Sequence, residues 1–240
     1  MIDTPSNVCP IRFLKTDAQR NFACSVERRE AFDDGFDGYS LRVEGDLVDV
    51  ELDQALPDSE SILNRMAVLF QRQPKSLRPA LHQVRVETGP CPFNSEFVAQ
   101  RGDPHFRAAA VGGMGGIDFF NGTKNLEPWV FDHEFGHNVG YAVRDQQLQE
   151  LEESEFSFSF DPGESGWNTP LGYGFAIRAD GTSVTPYGDT CYSEDFAEFY
   201  SAYQKALQEG ERAVEDFRQE HGARYRYLVE QVLSQPLHSD

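Results

Sequence analysis

Apolar and polar residues follow two rhythms along this chain. Alternation at every second position marks extended segments at 39–43, 47–52 and 81–86. Glu44-Gly45-Asp46 supplies the turn that folds the first two into a hairpin. A helical rhythm follows Asp58-Ser59, where Ile62, Met66, Leu69 and Phe70 line one face before Pro74 stops the run. Residues 87–107 read as a loop. Residues 107–120 read as one more strand, with Gly112-Gly113-Met114-Gly115-Gly116 at its middle. Glycine there lets a second backbone come close, so an edge strand that could pair with an extended peptide is expected. The turn Asn121-Gly122-Thr123 leads to a helix with Pro128 in its first turn, closed by Val139-Gly140.

Residues 31–140 therefore read strand, strand, helix, strand, strand, helix, an α+β lobe. Residues 1–30 show no sustained period and read as an extension packed on that lobe. The rest, 141–240, is expected to be mostly helical. A helix persists to about 154, and Phe156-Ser157-Phe158-Ser159-Phe160 alternates as a short strand or flap. Segments 171–177 and 183–185 flank Asp180-Gly181, a hairpin signal. Ser193 then caps a helix with Phe196, Phe199, Tyr200, Tyr203 and Leu207 on one side, ended by Gly210, and helices at 211–220 and 223–234 follow.

Composition narrows the classes. In 240 residues, 39% are hydrophobic and the net charge is −19. A core can form, and neither nucleic acid nor an anionic membrane surface suits so acidic a chain as principal partner. Nor is any apolar run long enough to span a bilayer. The four cysteines, Cys9, Cys24, Cys91 and Cys191, make no C-x-x-C. Their even number would permit two disulfides in an exported protein, and a secreted protein is expected. The first five residues lack a basic start and an apolar run, so an exported chain would be the mature form. The stretch Asp33 to Glu44 nearly spells a calcium loop but has Gly35 where a ligand belongs. An acidic turn before a strand accounts for it. The glycine run at 112–116 lacks the spacing and the Lys-Ser/Thr of a phosphate loop.

The chemistry concentrates in His133-Glu134-Phe135-Gly136-His137, which reads H-E-x-x-H. Positions four apart share a helix face, so the two imidazoles converge on one point and can hold a single Zn2+. Glu134 lies beside the pair, placed to take a proton from a metal-bound water. A catalytic zinc usually has three protein ligands and one open position, so a third donor must come from elsewhere. An extended H-E-x-x-H-x-x-G-x-x-H motif accepts Gly140 but fails at Val143, where histidine belongs. Cys191 and the nearby carboxylate Glu194 remain as candidates.

The stretch Tyr187-Gly188-Asp189-Thr190-Cys191-Tyr192-Ser193-Glu194-Asp195-Phe196-Ala197-Glu198 resembles the zinc-site helix of the anthrax lethal factor catalytic domain and of its relatives, the Pro-Pro endopeptidases. Those proteins carry H-E-x-x-H, a Tyr-Gly, a Glu ligand seven residues after that Tyr, and F-A-E. The H-E-F-G-H form of the motif is similar as well. The resemblance covers the metal helix and 187–199, and more loosely the order of elements from about 31 onward. It implies a single zincin-like domain over 1–240 with two lobes, an upper one at 31–140 carrying the metal helix and a lower one at 141–240. It implies His133, His137 and Glu194 as zinc ligands, Glu134 as general base and Tyr187 as donor to the oxyanion. Glu198 would accept a hydrogen bond from a ligand histidine. The function implied is a secreted, monomeric zinc endopeptidase whose protein or peptide substrate lies along 107–120. A zincin-fold binding or toxin module without turnover, and a zinc hydrolase of non-peptide amides, are the alternative readings.

Overall fold

The computed structural model describes residues 8–9, 24–30, 35–101, 107–153 and 169–237. Its class is α+β. Strands β1 (Val8–Cys9), β2 (Cys24–Arg29), β3 (Phe36–Val43) and β4 (Asp46–Asp53) precede helix α1 (Ser59–Gln71). A 3-10 turn (Lys75–Ala80), β5 (Gln83–Val86), α2 (Asn94–Arg101), β6 (Ala110–Gly113) and β7 (Gly116–Phe119) follow. Then come α3 (Pro128–Glu153), α4 (Tyr173–Asp180), α5 (Tyr192–Glu209), α6 (Glu211–Glu220) and α7 (Gly222–Tyr227), which runs on as a wider-turned helix over Leu228–Leu233. The strands form one sheet in the order β1-β2-β3-β4-β5-β7-β6. Neighbours are antiparallel from β1 to β4, and β4 pairs parallel with β5 across the α1 crossover, so the sheet is mixed.

The chain divides into two compact units. The first takes the residues through Arg72, His82–Val111 and Ile117–Leu126. Leu41, Val43, Val48, Val50 and Leu52 alternate toward its core, joined by Ile62, Met66 and Phe70 from α1. Asp58 caps α1, accepting from Ser61 N–H at 3.0 Å. Glu51, on the opposite face of β4, is fully buried, and its carboxylate accepts from Arg85 at 2.8 Å. The second unit is Gln73–Leu81, Gly112–Gly116 and Glu127–Asp240. Phe131, Phe135 and Val139 of α3, Tyr173 of α4 and Phe196, Phe199 and Tyr200 of α5 are all essentially unexposed in it.

Several expectations are corrected. Cys24–Arg29 is a strand paired with β3 over six residues rather than part of an extension packed on the lobe. Only Val26 points inward among polar neighbours, so no periodic signal reaches the sequence. Residues 107–120 form a hairpin instead of one strand. Met114 and Gly115 turn it with φ of 53° and 85°, the paired positive values of a type I′ loop. Helix α2 stands inside the expected 87–107 loop. Helix α3 runs unbroken past Val139-Gly140, because every residue from Val130 to Gly140 is buried and no polar boundary marks an end. The expected hairpin around Asp180-Gly181 is helix α4, with Gly181 as its left-handed cap at φ 80°. Cys191 rather than Ser193 holds the cap position of α5. Cys24, Cys91 and Cys191 are free thiols, so none of them enters the disulfides their number permits. Phe156 to Phe160 lie outside the described residues.

Candidate metal centre

Helix α3 carries Asp132, His133, Glu134, His137 and Asn138 through its fully buried stretch. Five polar side chains in the interior would be costly unless each found a partner. Each environment is specific. Gln73 donates to Asp132 at 2.7 Å and accepts from Tyr200 at 3.0 Å, which ties α5 to α3. His133 and His137, one turn apart, place their Nε2 atoms 3.2 Å from one another. Glu194 Oε2 lies 3.2 Å from the first and 3.3 Å from the second. Three donors thus stand at the corners of a nearly equilateral triangle, close enough together to hold one metal ion.

Glu194 gets there because α3 and α5 cross closely. A Cβ at Gly136 would sit 3.0 Å from Ala197 Cα and 3.2 Å from Tyr200 Cβ. Glycine inside the motif therefore sets the separation of the two helices. The start of α5 is anchored by Asp195, which follows Glu194. Asp195 is 1% exposed and accepts from Arg224 Nε and Nη2, both at 2.9 Å, and from Tyr173 OH at 2.8 Å. Ser183 Oγ donates to it as well. Arg224 is itself fully buried. Asp180 caps the start of α7 by accepting from Ala223 N–H at 2.8 Å and Arg224 N–H at 2.9 Å. One buried charge network fastens α4, α5 and α7 around the residue next to Glu194.

The remaining expected residues converge on the same place. Glu198, one turn after Glu194, stands 2.9 Å from His133 Nδ1. Thr185 Oγ1 donates to its other oxygen at 2.9 Å and accepts from Gly188 N–H at 3.2 Å. A carboxylate so placed favours the His133 tautomer with its proton on Nδ1, which would turn Nε2 toward a metal. Tyr187 OH donates to Glu194 Oε1 at 3.0 Å, and its ring lies 5.9 Å from that of His133. The rival third donor, Cys191, is exposed, its sulfur 3.3 Å from Ser193 Oγ. Val143 is a core residue.

Electrostatics follow from this crowding. Burial acts to lower the pKa of His133, but Glu194 and Glu198 outweigh it and push it up to about 10. Burial acts to raise Glu194, yet the two imidazoles hold it well below the usual carboxylate range. Glu134 behaves differently. Burial raises its carboxyl above the ordinary value despite the neighbouring imidazoles and a hydrogen bond from Gly112 N–H. Gly112 presses on it so closely that a Cβ there would come within 2.5 Å of the Glu134 carbonyl oxygen.

Sequence reading missed Gly136, Thr185, Asp195 and Asn138. Asp195 looks like a helix-start acid favoured by the dipole, and only its distant arginine reveals its role. A comparison of the chain with protein-family models and with curated protein sequences found no match.

Proposed function

We propose that the chain is a zinc-dependent endopeptidase of the zincin type, related to lethal factor and the Pro-Pro endopeptidases. The observation that carries this reading is the donor triangle, with sides of 3.2, 3.2 and 3.3 Å. A tetrahedral zinc with bonds of about 2.05 Å requires its donors about 3.3 Å apart, with a fourth corner left open. Two imidazoles and a carboxylate also suit other transition ions. Glu134, an unligated carboxylate beside the triangle, favours hydrolysis and therefore zinc.

When bound, zinc acidifies water and polarises a carbonyl. Glu134 receives the proton from the attacking water and later returns it to the leaving amine, and its raised pKa brings it closer to neutrality for both tasks. Glu198 and Thr185 keep the His133 ring oriented throughout. Tyr187, beside Glu194, is the donor available to a developing oxyanion. The substrate is an extended peptide.

A peptide-library digest with and without chelator tests this directly, together with metal content by mass spectrometry. Cleavage should vanish with the metal and return with zinc. The Glu134→Gln variant should keep one zinc per chain and lose activity by roughly a thousandfold or more, since the variant has no base. Cleavage that survives in that variant, or iron in place of zinc as the resident ion, would sink the reading.

A further inference from the structure

One side chain grips the glycine tip of the β6–β7 hairpin. Asn138 is fully buried on α3, one turn after Glu134. Its Oδ1 accepts from Gly115 N–H at 2.7 Å. Its Nδ2 donates to the Gly116 carbonyl and to the Glu134 carbonyl, each at 3.0 Å. Both amide hydrogens and the oxygen are used, so the tip hangs from the same helical turn that carries Glu134. On the other arm of the tip, Gly112 N–H bonds the Glu134 carboxylate, and a Cβ at Gly112 would stand 2.9 Å from Glu134 Oε2. No larger residue could come so near without displacing backbone.

We propose that Asn138 is a positioning residue that seats the Gly112–Gly116 tip against Glu134, so that the Gly112 N–H holds the Glu134 carboxylate in one orientation. The catalytic consequence rests on the peptidase reading, whereas the seating does not. A free glutamate side chain samples several rotamers, and a single backbone N–H to its charged end selects among them. An apolar residue at 138 would leave the Gly115 N–H and Gly116 carbonyl without this partner, and the tip would shift to find others.

Residue-resolved amide exchange on the zinc-loaded chain provides the first test and needs no activity. Gly115 N–H should be protected in the wild type. In Asn138→Asp, which keeps the acceptor and the size but loses both donations, exchange across the tip should rise roughly tenfold while α7 is unchanged. Asn138→Ala should do the same. Both variants should retain one zinc per chain, with kcat lower by about 10–100-fold and KM changed by less than about threefold, as expected for a misplaced catalytic group. Gly112→Ala should reproduce the kinetic effect, and combining it with Asn138→Ala should add little, because both act on one contact. Fast Gly115 exchange in the wild type overturns the inference, as does a loosened, zinc-loaded Asn138→Asp with unchanged kcat. A wild type that cleaves no peptide sinks the peptidase reading instead, and the exchange result alone then decides the seating.

Discussion

Glu198 shows what a single side chain can contribute from behind the three candidate metal donors. Its carboxylate, steadied by Thr185, holds His133 by Nδ1. Among the described residues, the ion-pair contact of His137 is made through Nε2, to Glu194, and not through Nδ1. The two ligand imidazoles are therefore supported unequally, and His133 should dominate the affinity. Glu198→Gln replaces an acceptor on one oxygen with a donor, and metal affinity should drop by about 10–100-fold. Competition titration with a chromophoric chelator measures this, and a change smaller than twofold would count against the role. The convergence of His133 and His137, with Glu134 beside them, was readable from spacing, because helical geometry fixes where positions one turn apart point. Tyr187 and Glu198 were reached only through resemblance to a family, which also favoured Glu194 over Cys191. Spacing cannot say which acid, 57 or more residues beyond His137, returns to the same point.

At the level of elements, the close crossing of α3 and α5 is what brings the three candidate metal donors together. Gly136→Ala would place a methyl 3.0 Å from Ala197 Cα, and backbone has little room to yield. The helices should move apart, at a cost of about 1–3 kcal/mol for an overpacked contact. Thermal unfolding of the metal-free chain would report that loss, and zinc affinity should weaken with it as Glu194 withdraws from the imidazoles. Amphipathic elements were legible: α1, α5 and α6 stand close to where their apolar stripes place them. Elements buried all round, or barely buried at all, were not. Helix α3 has no solvent-exposed face through its centre to mark its phase or its end, and β2 offers one buried residue in six. Two hairpin turns make the same contrast. Glu44-Gly45 sits between alternating strands and announces itself, whereas Met114-Gly115 is hidden in a run of glycines.

On the scale of the whole molecule, charge governs the response to conditions. His221 is buried against Phe217 and Phe199, with ring centroids 4.9 and 6.0 Å away. Burial lowers its pKa below the ordinary 6.5, and Arg224 adds to the effect. In that window the unfolded chain binds a proton that the folded chain refuses, so stability falls as pH drops below about 6.5. His221→Phe should remove this contribution. The difference in melting temperature between variant and wild type should therefore shift in the variant's favour between pH 7.5 and pH 5.5, and a pH-independent difference would contradict the assignment. The Asp195–Arg224 pair has a different bearing, on biosynthesis. All three donors have been synthesised once Glu194 is added, yet the arginine that neutralises its neighbour is added thirty residues later. Until then a bare carboxylate would have to be desolvated at the root of α5, which is prohibitive. Assembly of the donor triangle consequently waits on residues near the far end of the sequence: a polypeptide cut short before Arg224 would own all three donors and lack the charge that holds the root of α5.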